Sequence, residues 1–275
     1  MNRRRTVLIT GATAGLGRAV AEALAADGHQ LLVHGRTPGS AGRAAADLRA
    51  VGGVVEPVHG DLAVLGSVPG LAEQVRQRVG ELHVLVNNAG IGAGPPPHTR
   101  REEGADGHEL RFTVNYLAPV LLTRLLAPLL ARSAPARVVN IGSVGQAPVD
   151  IGDVDFRRRY HGAQAYFRSK FALAAFTRDL AALLPAGVTA TCVHPASLMN
   201  TRQVREVGAQ PWCDVEVGVP PVLDLVLGPA GERTGAYYDG RKLAAPHPGV
   251  DDPDLRERLR ARTDELLAPF TPGVG

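Results

Sequence analysis

The chain has 275 residues, of which 45% are hydrophobic, 21% are charged and 32 are glycine, which is typical of a globular domain and not of a disordered chain. Its formal net charge is only +3, which gives no reason to expect a nucleic-acid partner. No run reaches the roughly 20 apolar residues of a membrane helix, and Cys192 and Cys213 make no disulfide framework, so we expect a cytoplasmic protein without a membrane partner.

Short apolar runs alternate along the chain with longer segments of helical pattern. The predicted strands are 7–9, 30–34, 54–59, 82–86, 137–141, 188–193 and 235–238. The predicted helices are 17–26, 41–50, 68–79, 107–132 with breaks near Pro119 and Pro128, 164–184 and 254–267. Most of the strands are apolar throughout, as in a parallel sheet that is buried on both faces. The alternation predicts an α/β fold with a doubly wound, Rossmann-like parallel sheet and helices on both faces.

No linker is long enough to divide this pattern. The Gly- and Pro-rich run 92–97 is typical of a stiff loop and not of a domain boundary. We therefore predict a single domain over residues 1–275, which ends in a helical tail at about 251–268.

A glycine-rich turn follows the first predicted strand and opens the first helix. It consists of Thr10, Gly11, Ala12, Thr13, Ala14, Gly15, Leu16 and Gly17. At such a turn free N–H groups and the helix dipole favour a phosphate group, and side chains in place of the glycines would obstruct its approach. Its position between strand and helix predicts a dinucleotide site.

The residue that contacts the ribose of a dinucleotide is expected about 20 residues after the glycine turn. The second predicted strand ends there in Gly35 and Arg36, nineteen residues after Gly17, without a carboxylate to accept from the ribose hydroxyls. A guanidinium suits a 2′-phosphate in charge and in bidentate geometry. The sequence therefore favours NADP(H) over NAD(H).

Polar residues near the predicted sheet edge form a candidate catalytic group. Tyr166 and Lys170 are four residues apart in the predicted fifth helix and share one helix face. A neighbouring ammonium is expected to lower the pKa of a phenol toward neutrality, which makes it a usable acid/base. Ser143 closes the fifth strand, at the edge where open α/β sheets bind ligands, and Asn115 lies in the fourth helix.

Together these motifs resemble the short-chain dehydrogenase/reductase family. The glycine turn has the spacing of that family, and Asn115, Ser143, Tyr166 and Lys170 follow in the family's order. The run Asn87-Asn88-Ala89-Gly90 resembles its second signature. Three further runs are similar to the retinol-dehydrogenase-like branch: Asp106-Gly107-His108-Glu109, Asp153-Val154-Asp155-Phe156 and Gly235-Ala236-Tyr237-Tyr238.

The resemblance implies an oxidoreductase that transfers a hydride between NADP(H) and a small carbonyl or alcohol substrate. Tyr166 would give a proton to the carbonyl oxygen during reduction and accept it during oxidation. Lys170 would hold the nicotinamide ribose and lower the Tyr166 pKa. Ser143 would hydrogen-bond the substrate oxygen, and Asn115 would support a water in the proton relay.

Further cofactor contacts are implied by the same resemblance. Asp61 and Leu62 would contact adenine, Gly90 would lie beside the cofactor, and Pro195 would precede backbone contacts to the nicotinamide amide. This chain has Ala196 after Pro195, where the family usually has glycine. The implied cofactor set is Gly11, Thr13, Gly15, Leu16, Gly17, Arg36, Asp61, Leu62, Asn88, Ala89, Gly90, Tyr166, Lys170 and Pro195.

The resemblance also implies a substrate lid at about 196–220, with Trp212 and His161 as pocket candidates, and pairing through the fourth and fifth helices as a homodimer or homotetramer. The histidines have no metal-ligand spacing, so no metal is expected. Two alternatives stay open. The fold is also used for cofactor-dependent epimerisation or dehydration, and for a non-catalytic NADP-sensing regulator, which would be expected to lack Tyr166 or Lys170.

Overall fold

The computed structural model describes residues 4–271. In this range the strands form one eight-stranded sheet. The strands are β1 (Thr6–Ile9), β2 (Gln30–Gly35), β3 (Val54–His59), β4 (Val84–Asn87), β5 (Ala136–Ile141), β6 (Val188–His194), β7 (Tyr237–Asp239) and β8 (Lys242–Ala244). Their spatial order is β3-β2-β1-β4-β5-β6-β7-β8. Strands β1 to β7 are parallel, and β8 is antiparallel to β7.

Helices cover both faces of the sheet. They are α1 (Gly15–Ala26), α2 (Pro38–Val51), α3 (Val68–Arg78), α4 (Leu110–Arg132), α5 (Gly162–Leu183), α6 (Arg202–Glu206), α7 (Val219–Val226) and α8 (Pro253–Leu267). Residues of α1, α2 and α7 build the core on one face, and residues of α3, α4, α5 and α8 build it on the other. The predicted single-domain, doubly wound α/β fold is confirmed, although its predicted limits, residues 1 and 275, lie outside the described residues.

The central strands show why their sequences are apolar at every position. In β1, Leu8 packs into the core below α3 and α4, whereas Val7 and Ile9 on either side pack below α1. All three are fully buried. Because successive side chains point to opposite faces of a sheet, a strand covered on both faces has no polar position to alternate with.

Helix α4 is continuous where breaks were predicted near Pro119 and Pro128. A π-helical segment, Thr113–Leu117, with its altered hydrogen-bonding pattern lies directly before Pro119, which has no N–H to donate, and the regular α-helix continues over Ala118–Arg132. Pro128 lies inside the helix. The prediction of breaks was wrong because burial of α4 against the sheet outweighs the local preference of proline.

The carboxyl-terminal strands also differ from the prediction. The strand expected at 235–238 is Tyr237–Asp239, and it continues into the unpredicted β8 through the two residues Gly240 and Arg241. Gly240 has a φ of +56°, the left-handed conformation that tight hairpins need. The two-residue connection with its glycine could have indicated a hairpin. The strand β8 itself gives no apolar pattern, because it is only three residues long and two of them are exposed.

Helix α4 also corrects the expectation that no segment has the apolar length of a membrane helix. Residues 110–132 have a mean hydropathy of 1.5 over 18 residues, which meets that requirement by composition. In the fold, 72% of this window is buried inside the protein. Helix α8 packs beside it, where the Tyr116 hydroxyl and Thr263 Oγ1 are 2.7 Å apart. Helix α8 thus covers part of the α4 surface through which two copies of the chain were expected to pair. The oligomeric state stays a prediction.

Candidate active site

The predicted site residues meet at the carboxyl edge of the sheet. The register aligns Ile9 of β1 with Val86 of β4, and Asn87 of β4 with Asn140 of β5. The segments that leave these three strands therefore lie side by side. They carry the glycine turn, the loop that begins with Asn88, and Ser143.

The glycine turn has the backbone that a phosphate site needs. Gly11 and Gly15 have φ angles of +65° and +56°, which side chains disfavour. At Gly17 a β-carbon would lie 2.5 Å from the Gly11 carbonyl oxygen and would collide with the Asn88 amide. Helix α1 begins at Gly15 with no side-chain cap, so its first N–H groups are available to a ligand.

Thr10, after β1, and Asn87 and Asn88, at the end of β4, hold together the segments that leave these two strands. Thr10 Oγ1 accepts hydrogen bonds from the backbone N–H groups of Asn88 and Ala89, each at 3.0 Å. Asn88 Nδ2 donates to the Thr10 carbonyl at 2.8 Å, and Asn87 Nδ2 donates to Asn140 Oδ1 at 2.8 Å. The run that begins at Asn87 thus links β4 to β5 and to the glycine turn.

His34 of β2 links the glycine turn to the segment after β3. Its ring is 3% exposed. The Gly11 N–H donates to Nδ1 at 3.1 Å, and Nε2 lies 2.8 Å from the Gly60 carbonyl oxygen. This arrangement fits a neutral ring with its proton on Nε2, because Nδ1 must accept. Burial lowers the His34 pKa, which keeps the ring neutral.

The ribose end of the site has no space for a side chain at position 35. A β-carbon on Gly35 would lie 2.7 Å from Ser40 Oγ and 2.9 Å from Thr13 Cγ2. Arg36, the next residue, is exposed. Nearby, Asp61 Oδ1 accepts from the Ala63 N–H at 3.0 Å.

Of three more predicted cofactor residues, Leu62 lies in the core, and Leu16 and Pro195 lie against the segment that was expected to be the substrate lid. Leu62 is 5% exposed and belongs to the core below α3, so little of its side chain is free for a ligand. Leu16 and Pro195 both approach Gly218, where a β-carbon would lie 3.1 Å from Leu16 and 3.4 Å from Pro195. The chain after Pro195 therefore returns close to the glycine turn, although Ala196 replaces the usual glycine.

The candidate catalytic residues converge beneath the loop after β4. Lys170 Nζ donates to the Ile141 carbonyl, at the end of β5, at 2.8 Å. Asn115 Oδ1 accepts from the Ile91 N–H at 2.8 Å, and Asn115 Nδ2 donates to the Ile91 carbonyl at 3.0 Å. A β-carbon on Gly90 would lie 3.2 Å from Asn115 Oδ1 and 3.6 Å from Lys170 Nζ, so the loop passes directly over both side chains.

Two polar side chains lie beside Tyr166 and act on its pKa. Ser143, which is 8% exposed, approaches from the end of β5, and Gln203 approaches from α6. Burial raises the Tyr166 pKa, and these two side chains oppose the rise. The lower Tyr166 pKa expected from Lys170 is not found. Lys170 Nζ lies 5.8 Å from the tyrosine ring centre, and burial lowers the pKa of Lys170 itself to about 8.

Two contacts to this group were missed by sequence reasoning. Gln203 carries no motif, and thirty-six residues separate it from Tyr166, so no pattern could have paired them. Tyr237 donates from its hydroxyl to the Ser143 carbonyl at 2.9 Å and fixes the turn that presents Ser143. Tyr237 was part of a run assigned to the retinol-dehydrogenase-like branch, and that run was the signal available.

Other candidates lie away from Tyr166. Trp212 is 75% exposed on the lid segment, and His161 is exposed at the start of α5, with its ring centre 5.7 Å from that of His98. In residues 4–271 neither side chain forms a hydrogen bond or a ring contact with Asn115, Ser143, Tyr166 or Lys170. Within residues 4–271, no three His, Cys, Asp or Glu side chains are placed to hold a metal ion.

Comparison with known proteins agrees with this geometry. The family model described as short chain dehydrogenase matches residues 5–212. The chain belongs to this family. It is 31% identical to human retinol dehydrogenase 13 over 292 residues, which covers 98% of this chain and 86% of that protein. With such relatives the chain falls in the retinol-dehydrogenase-like branch.

Solved structures of the family share the fold. The crystal structure of an uncharacterised protein from Mycobacterium paratuberculosis is 28% identical, with a TM-score of 0.77 over 96% of this chain and 93% of that one. NADPH-bound carbonyl reductase from chicken fatty liver is 25% identical, with a TM-score of 0.66 over 88% and 99%. The NAD complex of 3-oxoacyl-[acyl-carrier protein] reductase from Brucella melitensis is 26% identical, with a TM-score of 0.69 over 87% and 96%.

Proposed function

We propose that this family member is an NADP(H)-dependent enzyme that interconverts a small carbonyl compound and its alcohol, with Tyr166 as acid/base. One observation carries the proposal. The side chains of Ser143 and Tyr166 lie beside each other at the carboxyl edge of the sheet, where Lys170 and the glycine turn also meet. A donor and a proton source are thus aimed at one point, where a substrate oxygen would lie.

The cofactor end fits a dinucleotide. Gly17 and Gly35 pack so closely against neighbouring protein atoms that neither has room for a β-carbon, and Gly11 and Gly15 have positive φ angles, so the turn keeps the tight backbone that a dinucleotide site needs. The N–H groups at the start of α1 would hold the pyrophosphate, and Lys170 would hold the nicotinamide ribose. When bound, the cofactor supplies or accepts the hydride, and the remaining chemistry falls to the protein.

The preference for NADP(H) is supported by the ribose end. No side chain fits at position 35, and thus no carboxylate can accept from the ribose hydroxyls there. Arg36 is exposed and makes no ion pair with other residues in the 4–271 range, which leaves its guanidinium available to a 2′-phosphate. Relatives that bind NADPH and NAD are both known, so this preference is carried by Gly35 and Arg36 and not by the relatives.

Each catalytic side chain has a role that its contacts support. Tyr166 would donate the proton that an alkoxide needs, and Ser143 would stabilise the charge that develops on the same oxygen. Lys170 is anchored by the Ile141 carbonyl, so its ammonium remains beside the cofactor loop. Asn115 bonds to Ile91 on both backbone atoms and to Ser169 Oγ at 3.0 Å, which aligns the loop after β4 with α5.

The proposal is tested by NADPH absorbance with a panel of ketones and aldehydes, and by NADP⁺ reduction with the matching alcohols. Oxidoreduction consumes one cofactor per product, whereas epimerisation or dehydration converts substrate with no net change in absorbance. A regulator would bind NADPH and leave every substrate unchanged. Cofactor binding without stoichiometric NADPH consumption across the panel would contradict the proposed activity.

A further inference from the structure

A buried charged cluster lies beside the site and takes no part in the chemistry described above. Its centre is Arg111 of α4, whose side chain is 3% exposed. Arg111 Nη1 donates to the Tyr160 hydroxyl at 2.9 Å and lies 3.3 Å from Glu109 Oε1. Arg111 Nη2 donates to Glu102 at 2.9 Å, and Nε donates to the Gly92 carbonyl at 3.0 Å. Every nitrogen of this guanidinium therefore has a partner.

Arg111 and two of its partners, Gly92 and Tyr160, belong to three segments that each lead to the site. Gly92 follows Gly90 by two residues in the loop after β4, and Tyr160 precedes Tyr166 by six. Arg111 itself lies one helical turn before Asn115. One guanidinium thus joins the cofactor loop, the helix of Asn115 and the approach to the catalytic helix.

Gly92 connects this cluster to the lid. A β-carbon on Gly92 would lie 2.8 Å from Gln203 Cγ and 3.1 Å from Val207 Cγ1, so the backbone passes directly beneath α6. Its carbonyl oxygen accepts a hydrogen bond from Arg111, and the Gln203 side chain lies close enough to Tyr166 to act on its pKa. Neighbouring groups therefore lead from Arg111 through Gly92 and Gln203 to Tyr166.

The chemistry of the cluster favours a role beyond stability. Glu109 is 1% exposed, and burial raises its pKa, while the Phe112 N–H and Arg111 oppose that rise. Burying such a pair costs desolvation that apolar side chains of similar volume would avoid. What the pair adds is geometry, because a planar guanidinium holds several acceptors in fixed directions and a lysine ammonium does not.

We propose that Arg111 is a positioning residue, which fixes Gly92 and thereby places Gln203 against the Tyr166 side chain. Gln203 then sets where the substrate oxygen lies between Ser143 and Tyr166. The inference rests on the proposed reductase function for its kinetic consequences. Its structural content, a lid held by Arg111, does not depend on turnover.

The kinetic test compares Arg111→Met with Gln203→Leu and with the double variant. Arg111→Met should lower kcat by about 10- to 100-fold, as expected for a small misplacement of reacting groups, with NADPH affinity within about threefold of the parent. Gln203→Leu, on the surface side of the contact, should give a similar loss without lowering Tm. If the two residues act through one contact, the double variant is no worse than the poorer single variant, whereas additive losses would overturn the proposal.

Arg137→Met is the matched control for a buried arginine. The Arg137 side chain is 6% exposed, pairs with Glu232 at 3.2 Å and lies at the opposite end of β5 from Ser143. Its replacement should lower Tm and leave kcat per NADPH-binding site unchanged. If Arg111→Met behaves in the same way, Arg111 is only a structural residue.

A readout independent of turnover uses Trp212, the only tryptophan of the chain. Arg111→Met and Gln203→Leu should each lower its fluorescence anisotropy by loosening the lid segment, and Arg137→Met should not. Unchanged anisotropy in all three variants would overturn the proposal even if no substrate is found. If the variants show these anisotropy changes but the parent protein reduces no substrate, only the proposed reductase function is contradicted.

Discussion

The two halves of the site are held together by different kinds of contact. At the cofactor end, Thr10, Asn87 and Asn88 join adjacent parallel strands through short bonds, most of them to backbone atoms. At the substrate end, Arg111 and Gln203 join segments that are remote in sequence through side chains. The cofactor end therefore depends on the sheet itself, whereas the substrate end depends on a few long side chains.

The largest effect is expected at Tyr166, where the two halves meet. Tyr166→Phe keeps the ring and removes the proposed proton donor, so carbonyl reduction should fall by about 10²- to 10⁴-fold. NADPH affinity should persist, because the glycine turn and Arg36 are unchanged. Steady-state rates and NADPH titration check both parts, with alcohol oxidation expected to rise with pH in the parent as the phenol ionises.

A Phe variant with full activity would show that another group supplies the proton. A variant that loses NADPH affinity as well would show that the two halves of the site are not separable at this position. In either case the assignment of Tyr166 as a dedicated acid/base would be wrong.

Ser143→Ala should affect the substrate end of the site and leave the cofactor end unchanged. Its hydroxyl faces Tyr166, and the loss of one donor to a developing oxyanion typically costs about 10²- to 10³-fold in rate. The backbone turn should survive, because its carbonyl still accepts from the Tyr237 hydroxyl and from Gln146 Nε2 at 2.7 Å. The measurement is kcat with unchanged NADPH affinity, and an unaltered kcat would remove Ser143 from the chemistry.

Arg36→Ala addresses the cofactor end alone. A charge-assisted bond to a 2′-phosphate contributes about 1.5–3 kcal/mol, which corresponds to roughly 10- to 150-fold in affinity. We expect the variant to lose that much affinity for NADPH, to keep its affinity for NADH, and to retain kcat at saturating NADPH. Equal affinities of the parent protein for both cofactors would contradict the assignment of Arg36.

The sequence predicts the cofactor end of the site better than the substrate end. The glycine turn, the run from Asn87 to Gly90 and the succession of strands and helices along the chain were predictable, because each depends on residues that are neighbours in the chain or on the period of apolar positions. The contact of Gln203 with Tyr166 depends on how a lid returns over the sheet, which no local pattern encodes. Proline preference failed in α4, where burial against the sheet decides the conformation.

The expected effect of Lys170 failed for a related reason. Its spacing from Tyr166 places both residues on one helix face, but the sequence does not show how far the ammonium extends or what surrounds it. In the structure Lys170 is directed to the Ile141 carbonyl, and desolvation governs the pKa of both groups. Periodicity predicts faces, whereas pKa values depend on burial that only the assembled site defines.

The smallest predicted effect concerns His34, which ties Gly11 to Gly60 at the cofactor end. Burial lowers its pKa below the ordinary value of 6.5, with Asp61 raising it and His59 lowering it further. Below pH 6.5 the unfolded chain therefore binds the proton more readily than the folded protein does. The free energy of unfolding should fall with acid by up to about 1.4 kcal/mol per pH unit from this residue.

His34→Gln removes this titration without introducing a charge. Because buried His29 and His194 also have lowered pKa values, the parent protein alone cannot isolate the effect, and the difference between the parent and the variant is the quantity to measure. Urea unfolding at a series of pH values between about 5 and 8 should show the parent losing stability relative to His34→Gln as the pH falls below 6.5, and no such loss above it. Parallel stability curves would mean that His34 is protonated equally well in both states. The link between the glycine turn and β3 would then not require a neutral ring.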